Sequence, residues 1–180
     1  MPNQRTRKPT PRLKSFDYDA PGFYHVVICV KEGHHILGNI VVNNDTDNNR
    51  RGRLVIGPQS PAFAKTKLYE AGNIIDANIK YINGNLTDRK IDTHIIMPNH
   101  IHLIIEICKR ADYQSAPTVP LSTIVRTFKS AVTKQVGFKF WQRGYYDRII
   151  RDDSELYTTR QYILDNPKNW IYDYQFWYRV

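Results

Sequence analysis

His100 and His102 are two residues apart in the stretch Met97-Pro98-Asn99-His100-Ile101-His102-Leu103-Ile104-Ile105. In an extended chain, residues i and i+2 point to the same face. Two imidazoles side by side can grip one divalent metal ion, although the same spacing also suits a pair of ordinary hydrogen-bonded histidines. Further along, Tyr162 and Asn166 are four apart and so share one face of a helix. Leu156 and Ile163 mark a different, apolar face, so Tyr162 stands where core packing does not need it. A phenol and an amide oxygen one turn apart can meet one substrate or one cation. An Asn before a proline is equally an ordinary helix-end residue.

These residues need elements to carry them. Phe23–Val30 is rich in β-branched and aromatic residues, lies between Pro21–Gly22 and Lys31–Gly33, and reads as a buried strand. His35–Val42 and Arg53–Ile56 are further strand candidates around a polar tip, Asn43–Arg51. Leu68, Ala71, Ile75, Ile79 and Ile82 follow helical spacing and predict a helix over Phe63–Tyr81, ended by Asn83–Gly84–Asn85. Ile91–Ile96 and Ile101–Ile107 form a hairpin about Met97–Pro98–Asn99. After a loop at Arg110–Pro117, Pro120 opens a helix to Val136, and an irregular basic and aromatic stretch runs from Gly137 to Arg148. A last helix starts near Asp152, with Glu155 completing a capping box, and is expected to stop near Asn166 because Pro167 follows. The expected fold is an α+β sandwich, with helices on one face of a mainly antiparallel sheet.

The chain has 180 residues, enough for one domain over 21–180 behind a flexible basic arm at 1–20. That arm holds Arg5, Arg7, Lys8, Arg12 and Lys14 with no acidic residue before Phe16. Two cysteines, Cys29 and Cys108, are too few for a disulfide framework or a Cys-rich zinc site and read as reduced, buried strand residues. No apolar run is long enough to span a bilayer and no secretory h-region opens the chain, so a cytoplasmic location is expected. The net charge of +9 favours a polyanionic partner, or simply solubility.

The segment Met97–Ile105 resembles the His–hydrophobic–His hallmark of the HUH superfamily in its single-tyrosine transposase branch. The likeness continues in Leu121-Ser122-Thr123-Ile124-Val125 with Phe128-Lys129-Ser130, in Trp141–Arg151, and in Tyr162-Ile163-Leu164-Asp165-Asn166-Pro167. In order and spacing these segments are similar to the REP-associated tyrosine transposases, relatives of the insertion-sequence-200 type. The resemblance runs from about Pro21 to Trp170. It implies a ferredoxin-like fold with both histidines on a central strand, Tyr162 as nucleophile, and Asn166 as a third, amide, metal ligand where many relatives carry Gln. It also implies single-stranded DNA with hairpin elements as substrate, and a possible homodimer.

Such chemistry suits these residue types. A divalent cation, Mg2+ or Mn2+ (with Zn2+ also acceptable to two imidazoles), neutralises phosphate oxygens. Tyrosine can then displace the 3′ oxygen and hold the 5′ phosphate as an ester. A free phenol has a pKa near 10, so about one in a thousand is ionised at neutral pH and the site must favour the phenolate. Tyr145 and Tyr146 are rivals without an amide partner at helical spacing, and Tyr157, five residues before Tyr162 on the same helix, faces elsewhere. Lys129 and Arg143 are the preferred phosphate contacts, with Arg126 and Arg148 beside them, among aromatics that can stack bases or simply pack. His94 could support the metal or be a satisfied strand histidine; His25, His34 and His35 receive no role. A hydrolytic metallonuclease and a non-catalytic DNA-binding module remain alternatives.

Overall fold

A computed structural model describes residues 20–42, 64–108 and 119–177, with side chains described as far as Trp170. The basic arm, the strand expected at Arg53–Ile56 and its polar tip, and the loop at Arg110–Pro117 lie outside the described residues.

The main sheet has four strands in the order β4-β5-β1-β6: β1 Gly22–Cys29, β4 Arg89–Ile96, β5 His100–Ile107 and β6 Tyr146–Ile150. Each neighbouring pair is antiparallel. A separate two-stranded ribbon pairs β2, Gly38–Val42, with β3, Ala64–Leu68. The helices are α1 Glu70–Asn85, α2 Leu121–Val136 and α3 Asp153–Trp177. Around the main sheet the chain runs β1, α1, β4–β5 hairpin, α2, β6, which is the ferredoxin-like order, and α3 is added after it.

Alternation along the strands divides the molecule. Tyr24, Val26 and Ile28 of β1 and Ile101, Leu103 and Ile105 of β5 are buried against Ile75 and Ile79 of α1 and Ile124 and Phe128 of α2. This is the face on which helices were expected. The sequence predicts every helix on that face, but α3 lies on the opposite one. There Leu156 and Ile163 meet Ile104 and Ile150 in a second, smaller cluster. Among the described side chains of this 25-residue helix few apolar ones are buried, and polar anchors add to them. One is Arg160, whose guanidinium grips the Asp92 carboxylate of β4 through Nε at 2.8 Å and through Nη2.

Three further expectations change. Ala64–Leu68 is a strand rather than the start of a helix, and α1 begins at Glu70. The alternating Ala-Lys-Thr-Lys-Leu pattern wins because β2 is available to pair with it. The close seat of α1 also explains Gly72, since a Cβ there would lie 2.2 Å from the Leu37 carbonyl oxygen. The stretch expected to be irregular from Gly137 to Arg148 runs into β6, which among the described residues pairs with β1 alone. Finally, α3 does not stop before Pro167 but runs on to Trp177. Proline removes one backbone donor and crowds the carbonyl four residues back, a cost that packing of both halves of a helix can offset. Cys29 and Cys108 form no disulfide and are half-buried, and Cys108 lies just past β5. No helix among the described residues is long and apolar enough to cross a membrane.

Candidate active site

The turn between β4 and β5 sets the position of the first histidine. Met97 N–H donates to the His100 carbonyl at 2.8 Å, closing the turn. The backbone around it is tied down from outside: Leu37 N–H donates to Pro98 O at 3.1 Å, and Val30 N–H to Asn99 O at 2.8 Å. Asn99 also orients the ring of His100, its Oδ1 lying 2.7 Å from Nδ1. That leaves Nε2 of His100 turned inward, 3.0 Å from Nε2 of His102. Both histidines lie on the α3 face of β5, because the residues between and beyond them, Ile101 and Leu103, fill the core on the other side.

His25, to which the sequence reading assigned nothing, completes the cluster. On β1, Val27 is directly opposite His102 and His25 is opposite Ile104, so His25 is a diagonal neighbour of His102 on the same face. Its Nε2 comes within 3.0 Å of Nδ1 of His102. Burial pushes the His25 pKa down to about 4, with the Arg148 charge adding to the effect, so the ring is neutral at pH 7. Arg148 is opposite His25 on β6 and is paired with Glu155 of α3. No sequence signal marked His25, because its place depends on a strand register set by residues about eighty positions away. His94 faces the other way, beside Asp76 of α1 at 3.6 Å, and is a satisfied strand histidine.

Helix α3 brings the remaining groups. The Tyr162 ring stands edge-on to His102, with centroids 5.7 Å apart, and 6.2 Å from that of His25. Tyr162 is 46 % exposed although Ile163 beside it is fully buried, so the phenol is open to a substrate. Two turns on, Trp170 approaches His100, with centroids 5.8 Å apart, and His35 at 5.5 Å. Asn166 is one turn after Tyr162 and one turn before Trp170, on the same helical face as both. Its Nδ2 donates to the Tyr162 carbonyl at 2.7 Å, which makes Oδ1 the atom presented away from the backbone. The continuation of α3 past Pro167 is what adds Trp170 to this face.

Two imidazoles and an amide oxygen could hold a divalent cation, the nitrogens accepting Zn2+ and the oxygen Mg2+ or Mn2+. Two ligands at about 2.1 Å from a metal are about 3.0 Å apart along an octahedral edge and about 3.4 Å apart along a tetrahedral one. The 3.0 Å between the two Nε2 atoms matches the octahedral edge. Among the described residues no set of three His, Cys, Asp or Glu side chains converges as metal donors. Asn166 Oδ1, one helical turn from Tyr162, is an oxygen that could join the two imidazoles.

The basic residues are dispersed. Arg148 adjoins the histidine cluster. Arg126 and Lys129 are on α2, across the sheet from it. Arg143 lines a surface depression with Lys129, Lys134, Lys139 and Trp141. The Lys129 ammonium is partly buried and donates to the carbonyls of Gln142 and Gly144 at 2.7 and 2.8 Å, so it ties down that loop. Burial also lowers its pKa. Tyr157 is exposed on α3.

No protein-family model matches the chain. An uncharacterised protein of Haemophilus influenzae is 29 % identical over 181 aligned residues, covering 90 % of this chain and 89 % of that protein. A second protein of that organism, provisionally named a REP-associated tyrosine transposase, is 30 % identical over 80 residues, 40 % of this chain and 46 % of its own. Among solved structures, that of a REP-associated tyrosine transposase bound to a REP hairpin matches with a TM-score of 0.51 and 18 % identity. The match covers 86 % of this chain and 72 % of that one, and shows a shared fold. The comparisons support the family that the sequence motifs resemble.

Proposed function

We propose that this chain, a relative of the REP-associated tyrosine transposases, is a cytoplasmic transposase that cuts and rejoins hairpin-bearing single-stranded DNA with Tyr162 as its nucleophile. The observation that carries the reading is the exposed Tyr162 phenol edge-on to His102, itself paired with His100, while the next residue of the helix, Ile163, is fully buried. His100 and His102 through Nε2, with Asn166 through Oδ1, would hold Mg2+ or Mn2+. When bound, the cation neutralises charge on the non-bridging phosphate oxygens.

The chain's own residues do the rest. Asn99 turns His100, and the β5 ladder sets both rings on one side of the sheet. Ile163, anchored under α3, fixes the side from which Tyr162 approaches. The phenol oxygen attacks phosphorus: the Oη–P bond forms and the bond from phosphorus to the 3′ oxygen breaks. The phenolic proton passes to water, and the departing oxygen takes a proton to become a 3′ hydroxyl. The phosphotyrosine ester keeps the energy of the broken bond, so a strand carrying a 3′ hydroxyl can reverse the step without a nucleotide cofactor. Arg148 beside the site and Arg126, Lys129 and Arg143 farther off supply positive charge along the strand.

The test is a labelled single-stranded oligonucleotide carrying a hairpin, incubated with Mg2+ or Mn2+ and separated under denaturing conditions. A protein-linked labelled species is expected from the wild type and none from Tyr162→Phe. An adduct that persists in Tyr162→Phe refutes the nucleophile. Cleavage without any adduct refutes the covalent route.

A further inference from the structure

We propose that His25 is a positioning residue that holds the His102 ring with its Nε2 directed at the cation site. The inference rests on the metal reading above, because it concerns how one of the proposed ligands is oriented.

A neutral imidazole has two nitrogens and one proton. If Nε2 of His102 is given to a cation, the proton must sit on Nδ1. His102 is 5 % exposed, so that N–H needs an acceptor inside the protein. Nε2 of His25 is 3.0 Å away. The relation of the rings shows that this approach is directional. Their planes differ by 17° and their centroids are 5.3 Å apart. Parallel rings stacked face to face would approach to about 3.5–4 Å, so these lie edge to edge, as an in-plane hydrogen bond requires.

The arrangement also has a counterpart. Asn99 Oδ1 meets Nδ1 of His100 at 2.7 Å, just as His25 meets Nδ1 of His102. Each histidine is therefore held at its outer nitrogen by a different strand or turn, and the two inner nitrogens face one another. A second imidazole has an advantage over a carboxylate here: it accepts without adding negative charge beside a phosphate. It can also donate instead, if His102 carries its proton on Nε2 before the cation arrives.

The test uses the full chain and its His25→Leu and His25→Gln variants. Leucine fills the space without an acceptor, and glutamine offers an amide oxygen near the position of the imidazole Nε2. Mn2+ affinity is measured by titration calorimetry and by loss of the free-ion electron spin resonance signal. His25→Leu is expected to weaken Mn2+ binding by about 10- to 100-fold, the range typical of lost support to a metal-ligating histidine, with His25→Gln recovering most of it. In the Zn2+-loaded wild type, nitrogen-15 spectra of the imidazoles are expected to show His102 protonated on Nδ1. Equal affinity in the wild type and His25→Leu overturns the role of His25. So does a His102 proton on Nε2 in the loaded chain, a readout that needs no variant to fold. Failure of the wild type to bind Mn2+ overturns the metal reading itself, and a His102→Ala control that binds as well as wild type does the same.

Discussion

Helix α3 has to be docked for Tyr162 to stand beside the histidines, and Ile163 is the most buried of its described side chains. Ile163→Ala removes three carbon atoms from a side chain that is fully buried. At roughly 0.8 kcal/mol for each buried methylene-sized group, the transfer cost alone is about 2.5 kcal/mol. A cavity that cannot collapse raises the cost of such a change toward about 4 kcal/mol. The second cluster is small, four buried residues, Ile104, Ile150, Leu156 and Ile163, with Phe23 and Ile95 packed against them. The loss is expected to be local. Amide hydrogen exchange along α3 should quicken by about 50- to 100-fold, as about 2.5 kcal/mol requires, while the amides of β5 stay protected. Adduct formation should fall with it, because each undocked molecule has its nucleophile displaced. Leu164→Ala, one residue on and 54 % exposed, is the control and should change stability by less than about 0.5 kcal/mol. A cost below about 1 kcal/mol for Ile163→Ala, or equal loss of protection in β5 and α3, would refute the idea of a separately docked helix.

Two further outcomes follow from the polar anchors. The hydrogen bonds from Arg160 hold the Asp92 carboxyl below its usual range, against burial, which raises it. A lowered folded-state pKa stabilises above the unfolded value of about 4 and fades as pH falls through the folded value. Arg160→Gln should therefore cost up to about 1 kcal/mol at neutral pH, the pair being partly exposed, and the gap from wild type should close in melting curves taken below about pH 4. Lys129→Met leaves the Gln142 and Gly144 carbonyls without their donor and should cost about 1–3 kcal/mol. If stability is unchanged while the salt dependence of DNA binding becomes shallower, the ammonium is instead a phosphate contact.

Much of this architecture is legible in the chain because its signals are local. Apolar alternation and a Pro–Asn turn give the β4–β5 hairpin, and helical spacing from Leu121 to Val132 gives α2. The i to i+4 relation of Tyr162 and Asn166 survives intact. What escapes is decided by partners distant in sequence. Ala64–Leu68 is extended because β2 pairs with it, and Leu68 only happens to continue the helical stripe of α1. Tyr146–Ile150 is too short and polar to declare itself, and β1 makes it a strand. Pro167 is a strong stop signal, but α3 crosses it, and Trp170 arrives at His100 as a result. His25 is one aromatic residue in an apolar strand until the register sets it beside His102.

The alternation of β5 has a consequence for which changes of length the chain can tolerate. Odd-numbered residues, Ile101, Leu103 and Ile105, face the core, and even-numbered residues, His100, His102 and Ile104, face α3. Inserting or deleting one residue within the strand, or slipping it by one against β1, exchanges the two sets. Imidazoles would then enter the oily layer while isoleucine and leucine lined the site. A misthreaded copy is thus penalised twice, in folding and in chemistry, so such copies would not persist as folded but inactive protein. Descendants of this gene should accordingly vary in length at the loops, and hardly at all between Met97 and Ile107.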